Sequence, residues 1–251
     1  MGLFWSDMDA QLDSLLLALA VNHRLAGTLA PDEVSAAFLD AGREVPLIVA
    51  DAVLGTDTPT GLLLFAAAAQ AAGITHVRLA LQHPSLPHTT PPVDKADRAR
   101  VGRHPAPVVL HRGAHQTGIM LIGAEENVEV IACRDSVFRP VSVDTPTEAL
   151  RRLRLLVMEG LTLIESIEVP EEWRSAPWRD WQSDLSDDHP LMSLLPVDAD
   201  SRAIFAALDI HERMRTVLAP ATVDPPVFGD LLSRLHPAAA AYVMAVATMK
   251  G

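Results

Sequence analysis

The sequence contains a single cysteine, Cys133, among its 251 residues. One thiol excludes an intrachain disulfide, and with it the class of small secreted proteins whose folds are held by disulfides. Near the N-terminus, acidic residues stand where a secretory signal carries basic ones, and the apolar stretch 15–20 is too short for such a signal. We therefore expect a reducing compartment and predict a cytoplasmic protein.

Long apolar runs and an excess of basic charge are also missing. The longest apolar runs, 62–69 and 238–249, are shorter than the roughly 18 to 20 residues that a helix needs to span a bilayer. The formal net charge is -12, whereas nucleic-acid binding needs a concentrated basic surface that releases counterions. The composition predicts neither membrane association nor nucleic-acid binding.

Aromatic residues make up only 4% of the chain, so Ala, Leu and Val must fill the core, and we expect a helix-rich interior. Lys95 and Lys250 are the only lysines, a bias typical of GC-rich genomes such as those of actinobacteria. The hydrophobic fraction of 49% is that of an ordinary globular protein. Without repeats or a clear linker, residues 1–251 are predicted to form a single globular domain.

Apolar spacing predicts a helical hairpin followed by a βαβ unit. The first helix is capped by Ser6 and ends at Gly27, and the second runs from Pro31 to Gly42. The strand–helix–strand segments are 46–54, 62–72 and 74–82. These elements make a first lobe over residues 1–82.

The following part of the chain predicts a loop and a sheet. Residues 83–106 contain five prolines and are expected to be a long irregular loop. Four short apolar segments separated by turn residues then indicate a four-stranded antiparallel meander at about 107–143. The segments are 107–111, 117–123, 127–133 and 137–143.

Helices are expected after the meander. Thr145, Pro146 and Glu148 form a capping box that opens a helix, which completes a lobe over 107–168. Its predicted inner face is Leu150, Leu153, Val157, Leu161 and Ile164. Residues 170–197 are expected to be irregular, and helices starting near Asp198, Pro225 and Pro237 form a lobe over 198–251. The predicted class is α+β, a mixed sheet packed by helices from both the N-terminal and C-terminal regions.

Histidines give the first candidate site, because six of the ten lie between positions 76 and 115. The expected register places His111 opposite Thr117 and Thr117 opposite Cys133, at a solvent-facing edge of the meander. A ligand site there would use His111, Arg112, His115, Arg134 and Asp135. A metal ion between His111, His115 and Cys133 is feasible, whereas a catalytic Cys–His dyad is strained, since two strand spacings separate the backbones by almost 10 Å. The alternative is solvated turn histidines and a buried inert thiol.

A second candidate site is the turn between the first strand and the helix 62–72. Asp51, Gly55, Asp57, Thr60 and Gly61 stand where α/β folds bind phosphate at a helix N-terminus. The turn has neither the dinucleotide-binding nor the P-loop glycine motif. An ordinary turn leading into a capped helix explains it equally well.

Two further surfaces have competing interpretations. The basic loop consists of Lys95, Arg98, Arg100 and Arg103. These side chains either hold an anion or pair with acidic residues of the segment 170–197, and we favour the pairing. The acidic residues are Asp180, Asp184, Asp187 and Asp188. The segment 170–197 also contains Trp173, Trp178 and Trp181. These tryptophans either anchor an interface with a partner or pack the irregular segment against the rest of its own domain.

Within residues 107–157, Arg-Asp is followed by Phe-Arg-Pro-Val-Ser-Val and a capped helix. This segment, about a fifth of the chain, resembles the strand–helix module of the type VII secretion chaperones of actinobacteria. It has no diagnostic motif, and the preceding helical hairpin departs from that pattern, so we assign no family from it.

No recognisable catalytic set accompanies the apolar helices, the aromatic-acidic segment and the proline-rich loop. We therefore expect a non-catalytic binding or protein-interaction protein, with a protein partner or self-association. The alternative is a small-molecule enzyme, a hydrolase or transferase, with a His/Cys metal or anion site at the meander edge.

Overall fold

A computed structural model of the protein describes residues 7–40, 43–55, 58–81, 90–123, 127–137, 145–166, 194–195, 199–217 and 226–248. Its helices are α1 (Asp7–Ala26), α2 (Pro31–Asp40), α3 (Asp51–Leu54), α4 (Leu62–Ala71), α5 (Arg98–Val101), α6 (Pro146–Ser166), α7 (Ser201–Val217) and α8 (Pro226–Ala247). Its strands are β1 (Leu47–Val49), β2 (Thr60–Gly61), β3 (His76–Leu79), β4 (Val108–Arg112), β5 (His115–Ile122) and β6 (Val128–Val137). Across these residues no helix is long and apolar enough to cross a membrane.

The strands form one mixed sheet in the order β2-β1-β6-β5-β4-β3. Strands β3 to β6 are an antiparallel meander, and β1 adds to β6 in parallel. The α+β class is therefore confirmed, with six strands. The predicted meander is shifted along the chain, because β3 is its first strand. Of the predicted strand 137–143, Val137 ends β6 and the remainder lies outside the described residues.

The predicted βαβ unit is wrong. Strands β1 and β3 are separated in the sheet by β6, β5 and β4. Since β1 is parallel to β6 and three antiparallel pairings lead from β6 to β3, β1 and β3 run in opposite directions. The strand–helix–strand pattern was seen correctly, but β3 pairs with the strand that follows it in the sequence rather than with the one before α4.

Helices from both chain ends cover one face of the sheet, as predicted. The most central is α1, which contacts β3, α4, α7 and α8. Every residue from Leu15 to Val21 is at most 3% exposed, as expected for a helix that is apolar all round. One core cluster joins α1 to sheet residues such as Leu79 and Leu110 and to residues of α6, α7 and α8.

A polar residue ties three of these elements together. Asn22 of α1 accepts a hydrogen bond from the Val77 N–H (2.8 Å) and donates to the carbonyl oxygens of Val77 (2.9 Å) and Ala247 (2.8 Å). Val77 lies in β3, the last strand on its side of the sheet. The side-chain amide of Asn22 therefore bonds the strand as another backbone would, and it also satisfies a carbonyl at the end of α8.

The C-terminal region contains two helices in the described residues, not the three predicted. Pro237, taken as a helix start, lies inside α8. Proline removes one backbone hydrogen bond from a helix interior, at a cost of about 3 kcal/mol. The residues that follow it, including Ala239, Ala240 and Val243, are fully buried in the core, and their burial offsets that cost.

The described part of the region 83–106, residues 90–106, is more ordered than predicted. Residues 98–101 form α5, Val93 makes an isolated antiparallel bridge to Cys133, and Val93 and Val101 are buried. They form a second apolar cluster with Ile119, Leu121 and Ile131. Because neighbouring residues such as Met120 and Val130 belong to the main core, the second cluster covers the opposite face of the sheet.

Candidate functional site

The end of the β4–β5 hairpin was the first predicted site. A two-residue turn joins Arg112 to His115, with Gly113 at a φ of 59°. The register shifts between Leu110 and His111 and again between Gln116 and Gly118. These β-bulges place His111 opposite Gln116, and Gln116 opposite Ser136. The predicted register is therefore wrong.

Cys133 lies three positions along β6 from Ser136, which is about 10 Å of strand. It faces Val93 and packs against the second apolar cluster. Among the described residues no three His, Cys, Asp or Glu side chains are grouped so that they can hold a metal ion. The structure therefore does not bring His111, His115 and Cys133 together.

His111 is buried within the sheet instead of facing solvent, with 1% of its surface exposed. Its ring stacks on His76, with centroids 4.5 Å apart and planes 10° from parallel. Burial is the main cause that lowers the pKa of His111 to about 3, and the charges of His76 and Arg78 contribute to the same decrease. The imidazole is neutral at physiological pH and fills space as a structural side chain.

Of the remaining residues of the predicted ligand site, Arg112 and His115 are partners across the turn, and Arg134 pairs with Asp94. His115 is exposed at the turn, and Arg112 lies beside Gly73. The Arg134 guanidinium donates to Asp94 (3.1 Å), while its backbone N–H donates to the carbonyl of Pro92 (3.0 Å). The side chain of Asp135 lies outside the described residues.

The predicted phosphate turn is divided between two elements. Asp51 begins α3, which Gly55 ends at a φ of 66°. Thr60 and Gly61 form β2, and the Thr60 hydroxyl donates to the Ile48 carbonyl (3.3 Å). Asp57 lies outside the described residues. Gly61 is the N-cap residue of α4, with an extended backbone and no side-chain cap.

The arginines of the basic loop have nearby partners where they are described. Arg100 pairs with Glu129 and Asp97, and Glu129 is the main cause that raises the pKa of Arg100. Arg103 donates to the Ala99 carbonyl (3.0 Å). The favoured acids, Asp180, Asp184, Asp187 and Asp188, and the three tryptophans Trp173, Trp178 and Trp181 lie outside the described residues.

Helix α6 carries a different candidate surface. The predicted capping box is present: the Thr145 N–H donates to Glu148 (3.0 Å), and the Glu148 N–H donates to the Thr145 hydroxyl (3.3 Å). The Thr145 hydroxyl also donates to the Glu148 carboxylate (2.8 Å), and the two bonds that this carboxylate accepts lower the pKa of Glu148. On the inner side, Ala149 and Leu153 are buried in the core.

Close packing on α8 fixes which side of α6 faces inward. A Cβ added to Gly160 would lie 3.1 Å from the Leu231 side chain, so the glycine lets the two helices approach closely. Beside this contact Arg234 of α8 donates to Glu159 of α6 (2.5 and 3.1 Å). The opposite side of α6 is thereby directed away from α8.

That opposite side is apolar. Leu155, Met158 and Leu161 are 62%, 60% and 50% exposed, and their spacing of three places them on successive turns. With Arg151 and Arg154 we call them the outer face of α6. Side chains of α6 alone line an open surface hollow of about 290 Å³, which we call the cavity; they are Thr147, Leu150, Arg151, Arg154, Leu155 and Met158.

The charge of this cavity is positive. Its lining includes two arginines and no acid, although the whole chain has a formal net charge of -12. Arg154 donates to Asp200, just before α7, through a single hydrogen bond of 2.7 Å.

Sequence reasoning missed this surface, since it assigned Leu161 to the inner face of the helix. The available signal was the surplus of apolar residues: Leu155 and Met158 lie well away from the Leu153 side of a 3.6-residue helix. A helix with one covered face does not need them.

Comparisons with protein-family models, with curated proteins and with solved structures found no match for this chain. The resemblance of residues 107–157 to secretion chaperones gains no support from them. Function must therefore be argued from the surface itself.

Proposed function

We propose that this is a non-catalytic protein-interaction protein, and that the outer face of α6 binds an amphipathic helix of a partner protein whose apolar stripe is flanked by acidic residues. The observation that carries the proposal is the coincidence of three exposed apolar side chains with a cavity lined by two arginines and no acid. Helix-in-groove recognition uses apolar anchors at this spacing.

Magnitudes favour a weak, reversible complex. Full burial of a Leu or Met side chain contributes about 1.5 to 3 kcal/mol, and these three are already half covered. Their remaining burial is comparable to the low end of the cost of association. Complementary charge at Arg151 and Arg154 then supplies orientation and speeds encounter. We therefore expect a weak complex, with dissociation constants of roughly millimolar order.

The two arginines of the outer face favour an acidic partner through charge complementarity. A basic helix would bring its charges against Arg151 and Arg154, whereas an acidic one forms charge-assisted hydrogen bonds with them. The enzyme alternative has no supporting observation of this kind, because the described residues do not gather His111, His115 and Cys133 into a set.

The test uses two synthetic 20-residue helical peptides with the same leucine stripe, one flanked by Glu and one by Lys. Fluorescence anisotropy should show the Glu peptide binding at least tenfold more tightly than the Lys peptide. Met158→Glu should weaken binding of the Glu peptide by at least tenfold. The matched control is Leu64→Glu, a leucine of α4 that is 68% exposed, which should bind as the wild type does.

Four outcomes would overturn the proposal. Equal binding of the Glu and Lys peptides would mean that the partner is not selected for acidic charge, and equal binding by Met158→Glu and the wild type would mean that the outer face of α6 is not the site. A dimer in sedimentation that Met158→Glu dissociates would identify a second copy as the occupant. A large loss of melting temperature in Met158→Glu, without peptide binding, would mean that the face packs within its own chain.

A further inference from the structure

We infer that Asp200 is an internal competitor for the acidic partner and tunes its affinity through Arg154. This inference rests on the proposed function, because it concerns the same outer face of α6. Arg154 lines the cavity and at the same time donates to the Asp200 Oδ2 atom (2.7 Å). The same guanidinium thus serves both the cavity and the chain's own carboxylate.

Asp200 is fixed in place by three other contacts. Its Oδ1 atom accepts from the Ala203 N–H (3.1 Å), which caps α7, and its carbonyl accepts from the Ile204 N–H (3.0 Å) and the Tyr242 hydroxyl (3.3 Å). A carboxylate held on both sides cannot move far when a ligand arrives. It therefore remains a fixed negative charge at the rim of the cavity.

A partner carboxylate that approaches Arg154 meets two effects of Asp200. One guanidinium N–H is already engaged, and a like charge lies within a few ångströms of the incoming group. The Arg154 side chain is 64% exposed. Water therefore screens the repulsion between Asp200 and the partner carboxylate and keeps its effect moderate. Arg151 lines the same cavity and is not opposed in this way by Asp200.

Asparagine at position 200 separates the two functions of the aspartate. Asn caps helices as well as Asp does, so its side-chain oxygen can keep the bond from the Ala203 N–H. The NH2 group that replaces Oδ2 cannot accept from Arg154, so the charge and the competing acceptor are removed together while α7 keeps its cap. Asp200→Asn should therefore raise the affinity for the Glu peptide by about three- to fivefold. Its melting temperature should match the wild type.

The control for a general charge effect is Asp230→Asn. Asp230 is an exposed acid of α8 that pairs with Arg234 (3.2 Å), near α6 but outside the cavity lining. It should leave peptide affinity unchanged. The double variant Arg154→Gln, Asp200→Asn should bind no more tightly than Arg154→Gln alone, because the gain acts through Arg154.

The inference is overturned if Asp200→Asn binds the Glu peptide as the wild type does or more weakly, or if Asp230→Asn gives the same gain. It is also overturned if the gain persists without Arg154. In each of these cases Met158→Glu still abolishes binding when the proposed function is correct. Insensitivity to Met158→Glu would be the separate failure of the proposed function itself.

Discussion

Helices α1 and α6 have nearly the same length, 20 and 21 residues, and both are rich in leucine, yet they place their residues in opposite ways. In α1 even polar side chains such as Gln11, Ser14 and Asn22 are buried. In α6 the apolar side chains of Leu155 and Met158 are mostly exposed. Position in the fold, and not residue type, decides which helix has spare apolar surface.

Buried polar groups and exposed apolar groups differ in what explains them. A buried polar group that lacks a hydrogen-bond partner costs free energy of folding, so the surrounding fold usually supplies a partner. An exposed apolar group has no such structural reason, and grouped exposure indicates a partner. His111 falls in the first class and the outer face of α6 in the second.

The largest effect is expected from the polar side of this comparison. Asn22→Ala leaves the Val77 N–H, the Val77 carbonyl and the Ala247 carbonyl without the Asn22 amide. Each unsatisfied buried group costs about 1 to 3 kcal/mol, so we expect a loss of about 3 kcal/mol in the free energy of unfolding. Urea denaturation measures it, and a loss below about 1 kcal/mol would show that α1 tolerates an unmet polar group.

The second buried polar group is His111, and we expect it to make the stability of the protein depend on pH. The pKa of His111 is about 3 in the folded protein, below the value near 6.5 of an unfolded chain. As the pH falls through 6.5 the unfolded state takes up the proton first, so stability decreases from that pH down towards 3, by at most about 1.4 kcal/mol per pH unit.

Urea denaturation between pH 7.5 and 5 checks this expectation. His111→Leu should show a shallower decrease in stability than the wild type. The exposed His115 provides the control, because His115→Gln should keep the wild-type slope. Identical slopes for the wild type and His111→Leu would mean that His111 is not held neutral by its surroundings.

Helix α6 is less enclosed by the core than α1, so its stability should depend more on the hydrogen bonds at its N-terminus. Thr145→Ala removes the hydroxyl that accepts from the Glu148 N–H. We expect a loss of about 1 kcal/mol in unfolding free energy, the usual value for an N-cap. Thermal unfolding by circular dichroism measures it, and an unchanged melting temperature would contradict this account of the helix start.

The smallest effect should come from the outer face of α6. Leu155→Ala removes a side chain that is 62% exposed, and surface substitutions usually change stability by less than about 0.5 kcal/mol. Leu17→Ala in α1, where the leucine is 0% exposed, should cost about 2 to 5 kcal/mol. Comparable losses in the two variants would abolish the distinction between the helices.

Local signals in the sequence predicted much of the fold. The caps at Gly27, Pro31 and Thr145 mark real helix ends, because they act within a few residues of the chain. The class and the covering of the sheet by helices from both chain ends were also predictable, since apolar periodicity reports burial directly.

Features that depend on distant residues were not predictable. The bulge between Gln116 and Gly118 depends on the close approach of Val53 and Leu110, whose side chains would lie 2.9 and 3.1 Å from a Cβ on Gly118. That bulge moves Cys133 away from His111. In the same way, the packing of Gly160 on Leu231 decides which leucines of α6 remain outside.

Asn22 also has a consequence for assembly. An outermost strand offers its amides and carbonyls as a template on which another polypeptide can add, the first step of edge-to-edge aggregation and strand swapping. In β3 the amide of Asn22 occupies the donor and the acceptor of Val77, so an incoming strand would have to displace a helix of the core. One side chain thereby protects this edge of the sheet from the addition of another strand.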